Sequence, residues 1–139
     1  MSARHHFSFV LEELAESPLA PRVWTRSMFG SLAVYVDEKI VFMLRRKQAA
    51  ATLRDDGVWV ASLPEHGASL QREFPALRPI ELFESRGREG FAGWWNLPEH
   101  EEGFEETALE LCRLLIKGDP RIGKLPNAGK ARKKPKKRV

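Results

Sequence analysis

Ser31-Leu-Ala-Val-Tyr-Val36, then Asp37-Glu38, then Lys39-Ile-Val-Phe-Met-Leu44 reads as strand, turn and strand. β-Branched and aromatic residues dominate both arms, and the two acidic residues suit an exposed tip. Leu32, Val34 and Val36 would face one side, Ala33 and Tyr35 the other. A hairpin apolar on both faces needs cover on two sides.

Working outward, Gly57-Val-Trp-Val-Ala61 reads as a third strand, entered by the turn Asp55-Asp56-Gly57. Pro79-Ile-Glu-Leu-Phe83 alternates as a fourth, and Phe91 to Leu97, carrying Trp94 and Trp95, is a fifth. Ser85 to Gly90 separates them as a loop, and Pro64 to Phe74 is a short middle helix. Two longer helices bracket the set. Ala3 to Glu16 places Phe7, Val10, Leu11 and Leu14 at helical spacing, with Ser2 as N-cap and Ser17-Pro18 as stop. Phe104 to Lys117 aligns Phe104, Ala108, Leu111, Cys112 and Leu115, and Gly118-Asp119-Pro120 ends it. Leu19 to Thr25, with Pro18 and Pro21 nearby, reads as a connector. The expected class is α+β: an antiparallel sheet of about five strands flanked by N- and C-terminal helices.

The chain of 139 residues has room for one core, and 42% hydrophobic content is ample to fill it. No apolar run reaches the ~18 residues that a spanning helix needs, so no membrane partner is expected. The opening segment lacks a secretory leader pattern, and one cysteine makes no internal disulfide, so a cytoplasmic location is expected.

The net charge of +4 hides two opposite parts. Lys117 to Val139 holds ten basic residues against Asp119 alone, whereas the preceding residues carry 13 basic and 18 acidic side chains. The expected organisation is a mildly acidic domain over residues 1–118 and a basic tail over 119–139. Lys130, Arg132, Lys133, Lys134, Lys136, Lys137 and Arg138 put seven positive charges into nine residues. Such a segment does not fold alone and pairs with phosphates through counterion release. With all seven engaged, the salt slope would be about −6 on duplex DNA. This attraction is unspecific and serves DNA or RNA alike. The plainer reading is a tail that only solubilises.

Arg26-Ser27-Met28-Phe29-Gly30, running straight into the hairpin, resembles the entry motif of the TfoX N-terminal domain family. Gly93-Trp94-Trp95-Asn96-Leu97-Pro98-Glu99 is similar to that family's aromatic pair followed by Leu-Pro before the last helix. With the matching order of elements, the resemblance covers residues 3 to 117. The YjbR/MmcQ-like domains share a similar architecture. The resemblance implies a small α+β module of bacterial co-regulators of transcription and DNA uptake. Full-length regulators add a C-terminal helical domain, and this chain has only about twenty residues after its last helix.

Several side chains are candidates for contacts. Arg26 at a strand entrance could receive an acidic partner or a phosphate. Met28, Phe29 and Gly30 read as mainly structural, with Met28 and Phe29 packed on a helix. Arg45, Arg46 and Lys47 form a smaller basic cluster that either extends a phosphate track or merely guards a strand end. Trp94 and Trp95 point to opposite faces, so one is expected in the core and the other partly exposed; Trp94 is offered as partner surface, and Trp95 is grouped with the mainly structural motif residues. Catalytic, metal and cofactor sites are not expected, because His5, His6, His66 and His100 lack ligand spacing and Cys112 sits on an apolar stripe. The preferred function is a non-catalytic binding or regulatory module, contacting a protein partner or a second copy through the sheet face. The alternatives are a small-molecule-binding or enzymatic domain with a pocket near Tyr35, Trp59 and Trp94, and a plain scaffold whose activity lies in its tail.

Overall fold

The computed structural model describes residues 2–80 and 93–126. In chain order the elements are α1 (Ala3–His6), α2 (Ser8–Ala15), β1 (Val23–Met28), β2 (Ser31–Val36) and β3 (Lys39–Arg45). They continue with β4 (Gly57–Ala61), α3 (Pro64–Glu73), β5 (Arg78–Pro79), β6 (Trp94–Pro98) and α4 (Phe104–Ile116). Short 3-10 turns fill Ala20–Arg22 and Ala50–Asp55. The six strands form one antiparallel sheet in the order β1-β2-β3-β4-β6-β5. The α+β class stands as expected, with a sixth strand among the described residues.

That extra strand is β1, whose first half, Val23–Thr25, falls in the segment read as a connector. Its residues alternate between half-buried and exposed rather than between core and solvent. An edge strand of this kind leaves little trace in hydropathy. The first helix also differs from expectation, since it breaks at Phe7 (φ −107°, ψ 29°) into α1 and α2. The break turns the fully buried Phe7 ring into the core, 5.9 Å from the ring of Phe104. The His5 amide donates to Ser2 Oγ at 3.2 Å, so Ser2 caps α1 as its sequence position implies.

Val36 pairs with Lys39 across the Asp37-Glu38 turn, where Asp37 takes a positive φ of 54°. A bulge between Val34 and Tyr35 shifts the register against β3. Of the expected strand at Pro79–Phe83, Pro79 lies in β5 and residues 81–83 lie outside the described residues, as do the 85–90 loop, Phe91 and Ala92.

One face of the sheet meets the helices. Leu32, Val34, Val36, Leu44, Val58, Val60, Trp95 and Leu97 pack with Phe7, Val10 and Leu14 from α1–α2, Leu70 from α3, and Leu111, Cys112 and Leu115 from α4. The opposite face gathers Ala33, Tyr35, Ile40, Met43, Trp59, Ala61, Ile80 and Trp94, with Met28 against its margin. Trp94 and Trp95 are both 9% exposed, one in each layer. The expectation of one exposed tryptophan is therefore corrected: a sheet buried on both faces accepts both rings.

The chain stays packed beyond Gly118. Ile122 is buried in the helical-side core, the Gly123 amide donates to Ala61 O at 2.7 Å, and Lys124 and Ile40 exchange backbone hydrogen bonds of 3.0 and 2.9 Å. Arg121 ties this strap to α3 through Glu73 (2.6 Å) and Ser69 Oγ (3.1 Å), and closes on Asp119 at 2.9 Å. The hydrogen bond from Arg121 holds the Asp119 carboxyl below its usual range.

Candidate interaction surface

β1 and β2 are joined by a two-residue loop, because Met28 pairs with Ser31. Phe29 (φ 51°) and Gly30 (φ 79°) both take the left-handed conformation that a tight type I′ hairpin turn requires. Gly30 meets that demand without strain, whereas Phe29 does not. A left-handed non-glycine residue costs ~1 kcal/mol or more. The ring gains nothing in return from the core, being 87% exposed. The expected helix contact of Met28 and Phe29 is corrected accordingly. Met28 lies on the margin of the face away from the helices, and Phe29 projects from the tip.

Beside the tip runs an open edge. β1 ends the sheet, with β2 on one side and no strand on the other among the described residues. Arg22 O accepts the Asp37 amide at 2.9 Å, and Met28 and Ser31 close the loop. In an antiparallel pair these contacts alternate, so Arg22, Trp24, Arg26 and Met28 direct their backbone groups to β2. Val23, Thr25 and Ser27 then direct theirs outward.

The exposed Trp24 and Arg26 of the edge lie on one face, and the exposed Ser27 on the other. Trp24 stands opposite Tyr35 and stacks on it, with centroids 4.1 Å apart and planes 7° from parallel. Its indole Nε1 donates to Asp37 O at 2.8 Å, which fixes the ring, yet 44% of Trp24 remains exposed. Arg26, opposite Ala33, is exposed and makes no ion pair or hydrogen bond among the described residues. On the helical side, Arg4 donates to Thr25 Oγ1 at 2.8 Å.

The basic cluster after β3 is taken apart by the structure. Arg45 is 4% exposed, not a surface residue. It donates to Asp56 Oδ1 at 2.7 Å, Thr52 O at 3.2 Å and Thr52 Oγ1 at 3.1 Å. Asp56, 1% exposed, also accepts the Lys47 amide at 3.1 Å and the Gln48 amide at 2.8 Å. A buried guanidinium without such a partner would be prohibitive, so the pair holds the whole 45–56 connection. Arg46 points its Nε to Glu99 Oε1 at 3.4 Å, with the His6 and His100 rings 3.8 and 3.9 Å from the same carboxylate. Only Lys47 of the three is exposed, and its aliphatic end passes beside Gly30 at the hairpin tip.

Trp94, offered as partner surface, is instead packed against Trp59 at 5.7 Å, with Lys124 Nζ 5.0 Å from its ring centre. Trp59 donates to Asp55 O at 2.7 Å. Tyr35, Trp59 and Trp94, the three aromatics expected near a pocket, share the buried cluster of the second face. An open depression lies elsewhere, between Ala50, Ala51, Leu53, Arg54 and His100. Lys130, Arg132, Lys133, Lys134, Lys136, Lys137 and Arg138 lie outside the described residues.

The structure thus sets Trp24 and Arg26 along the open edge, Trp24 toward its Asp37 end, and Phe29 and Lys47 at the hairpin tip. Sequence reasoning found Arg26 and Lys47 but missed Trp24 and the exposure of Phe29. The available signal was Val23, Thr25 and Ser27 at period two before Phe-Gly, a strand running into a two-residue turn. Comparison with known families, with curated proteins and with solved structures yields no match for the chain.

Proposed function

We propose that this chain is a non-catalytic binding module, of the regulatory kind implied by its resemblance to the TfoX N-terminal domain family. Its folded part takes a protein partner along β1 and the hairpin tip, and its basic tail adds unspecific attraction to DNA or RNA. The observation that carries the reading is Phe29: a large apolar ring, 87% exposed, held in a backbone conformation unfavourable to it. A fold gains nothing from that placement, whereas a partner would bury the ring.

The surface is tested by a photo-crosslinking side chain at position 29, compared with one at Glu65, an exposed residue of α3, which follows β4, three strands from the β1 edge. The expected result is a discrete crosslinked species from position 29 only, lost on Trp24→Ala. Equal capture at both positions, or none at either, refutes the folded half. The tail is tested by fluorescence anisotropy with duplex DNA and RNA over a salt series. The chain ending at Pro126 is the proper comparison, because Arg121, Ile122 and Lys124 belong to the packed strap. Loss of binding and of the salt slope on truncation is expected; binding that survives truncation refutes the role of the tail.

A further inference from the structure

The geometry points to a second copy of this chain as the occupant of the β1 edge. We infer a two-fold pairing, β1 to β1, centred on Thr25, which joins two six-stranded sheets. This rests on the reading of the edge and tip as a protein-binding surface, and names the partner.

The register follows from the outward groups. Strands can join only with Val23, Thr25 and Ser27 facing the same set on the other copy, and the centres that engage at least two of the three are Trp24, Thr25 and Arg26. Centring on Arg26 sets two like charges directly opposite each other, which is unfavourable. Centring on Trp24 places Ser27 against the second copy's Pro21, which has no N–H to give. Centring on Thr25 engages the whole of Val23–Met28 and forms about six backbone hydrogen bonds, two at each of three facing pairs.

The side chains agree with that choice. Trp24 would lie directly opposite the second copy's Arg26, in a close pair without backbone bonds. Because Trp24 is stacked flat on Tyr35 across the sheet, its other ring face looks outward along the sheet, to where that guanidinium arrives. Cation–π contact therefore forms twice, once on each side of the axis. The ladder reads Tyr35, Trp24, Arg26, Ala33 across the join, and it gives the exposed Arg26 a partner that the described residues of its own chain do not supply. In the same register the strained Phe29 comes level with the second copy's exposed Pro21. On the helical side the two Arg4 side chains approach one another beside Thr25, a repulsion that exposed arginines relieve by swinging to water.

The test uses the full chain. Sedimentation velocity at rising concentration is expected to show a monomer–dimer equilibrium. Thr25→Cys should oxidise to a covalent dimer, since facing residues of a hydrogen-bonded pair lie about 5.5 Å apart, within disulfide reach. Val23→Cys alone should not crosslink, but should do so when mixed with Ser27→Cys chains. Cys112 stays silent in these assays because burial pushes its thiol up to about 12. Ser27→Pro removes one outward N–H from each copy and should weaken the dimer about tenfold or more. Phe29→Asn, which suits the turn, checks that weakening is not misfolding: it should keep the fold and still loosen the dimer. A monomer at every concentration overturns the proposal. So does a dimer that persists in Ser27→Pro without the Thr25→Cys crosslink. Capture from position 29 of a different protein by a strictly monomeric chain overturns the second copy and keeps the binding module; absence of both ends the two together.

Discussion

Replacing Asp56 by Ala tests whether one buried carboxylate organises the loop that brings Lys47 to the hairpin tip. In the native chain Arg45 and Asp56 side chains are 5% and 0% exposed and 2.7 Å apart. Removing the carboxylate leaves a guanidinium with Thr52 alone as acceptor, in a place water does not reach. Breaking a buried pair in this way costs about 3–5 kcal/mol. The amides of Lys47 and Gln48 also lose their acceptor, but both residues are exposed, so water replaces most of that contribution. Arg45→Met is expected to cost less, about 2–3 kcal/mol, because Asp56 keeps the two backbone donors. In the double variant neither charge is stranded, and its cost should fall below the sum of the single costs by about 2 kcal/mol. Urea unfolding followed by tryptophan fluorescence and circular dichroism measures all three. For a domain of this size, Asp56→Ala should lower the midpoint by about 2 M urea. A cost under about 1 kcal/mol for Asp56→Ala, or strict additivity in the double variant, refutes the reasoning.

Other outcomes follow from separate parts of the fold. At Gly57 (φ 148°) an added Cβ would run into the Leu97 carbonyl oxygen and Asn96 Oδ1, so Gly57→Ala should cost about 3 kcal/mol or more. An unchanged melting temperature would contradict this. Asp119 has its carboxyl lowered by the Arg121 hydrogen bond, so its contribution is complete above the usual value of 3.8 and is lost as pH falls through the lower folded value. The stability gap between wild type and Asp119→Asn should be constant near neutrality and shrink below pH 3.8; a gap that widens in acid would refute the assignment. Cys112, fully buried, should resist alkylation at pH 8 until the chain unfolds, and labelling of the folded chain at the rate of a free thiol would show the core to be open.

The parts legible in the sequence are those where burial and period coincide. The hairpin from Ser31 to Leu44, the strand at Gly57–Ala61 and the helices at Pro64 and Phe104 carry apolar side chains at the spacing of their element, and the structure places them there. β1 was hidden because an edge strand is not pressed into a core, and in Val-Trp-Thr-Arg-Ser-Met, just after Pro21, the period-two pattern of Val23, Thr25 and Ser27 carries little hydropathic contrast. Phe29 was misplaced for the opposite reason: hydrophobicity alone assigns a phenylalanine to the interior, and only the turn geometry sends it out. Arg45 looked like surface because arginine is rarely buried without a partner, and its partner eleven residues on was read as a turn. Trp94 and Trp95 were correctly set on opposite faces; that both layers bury their ring depended on the tertiary structure.

Among the described strands, every pairing except that of β4 with β6 joins successive strands. Such a meander can form piecewise, starting at the N-terminus, while the remainder is still being translated. The packing of α2 against α4 runs the other way and joins the two ends of the domain. Until Phe104–Ile116 has been made, Leu32, Val34, Val36 and Leu44 therefore lack the cover of Leu111, Cys112 and Leu115. During synthesis that face of the sheet is covered by α1–α2 and α3 alone, and the last helix is the step that completes its cover.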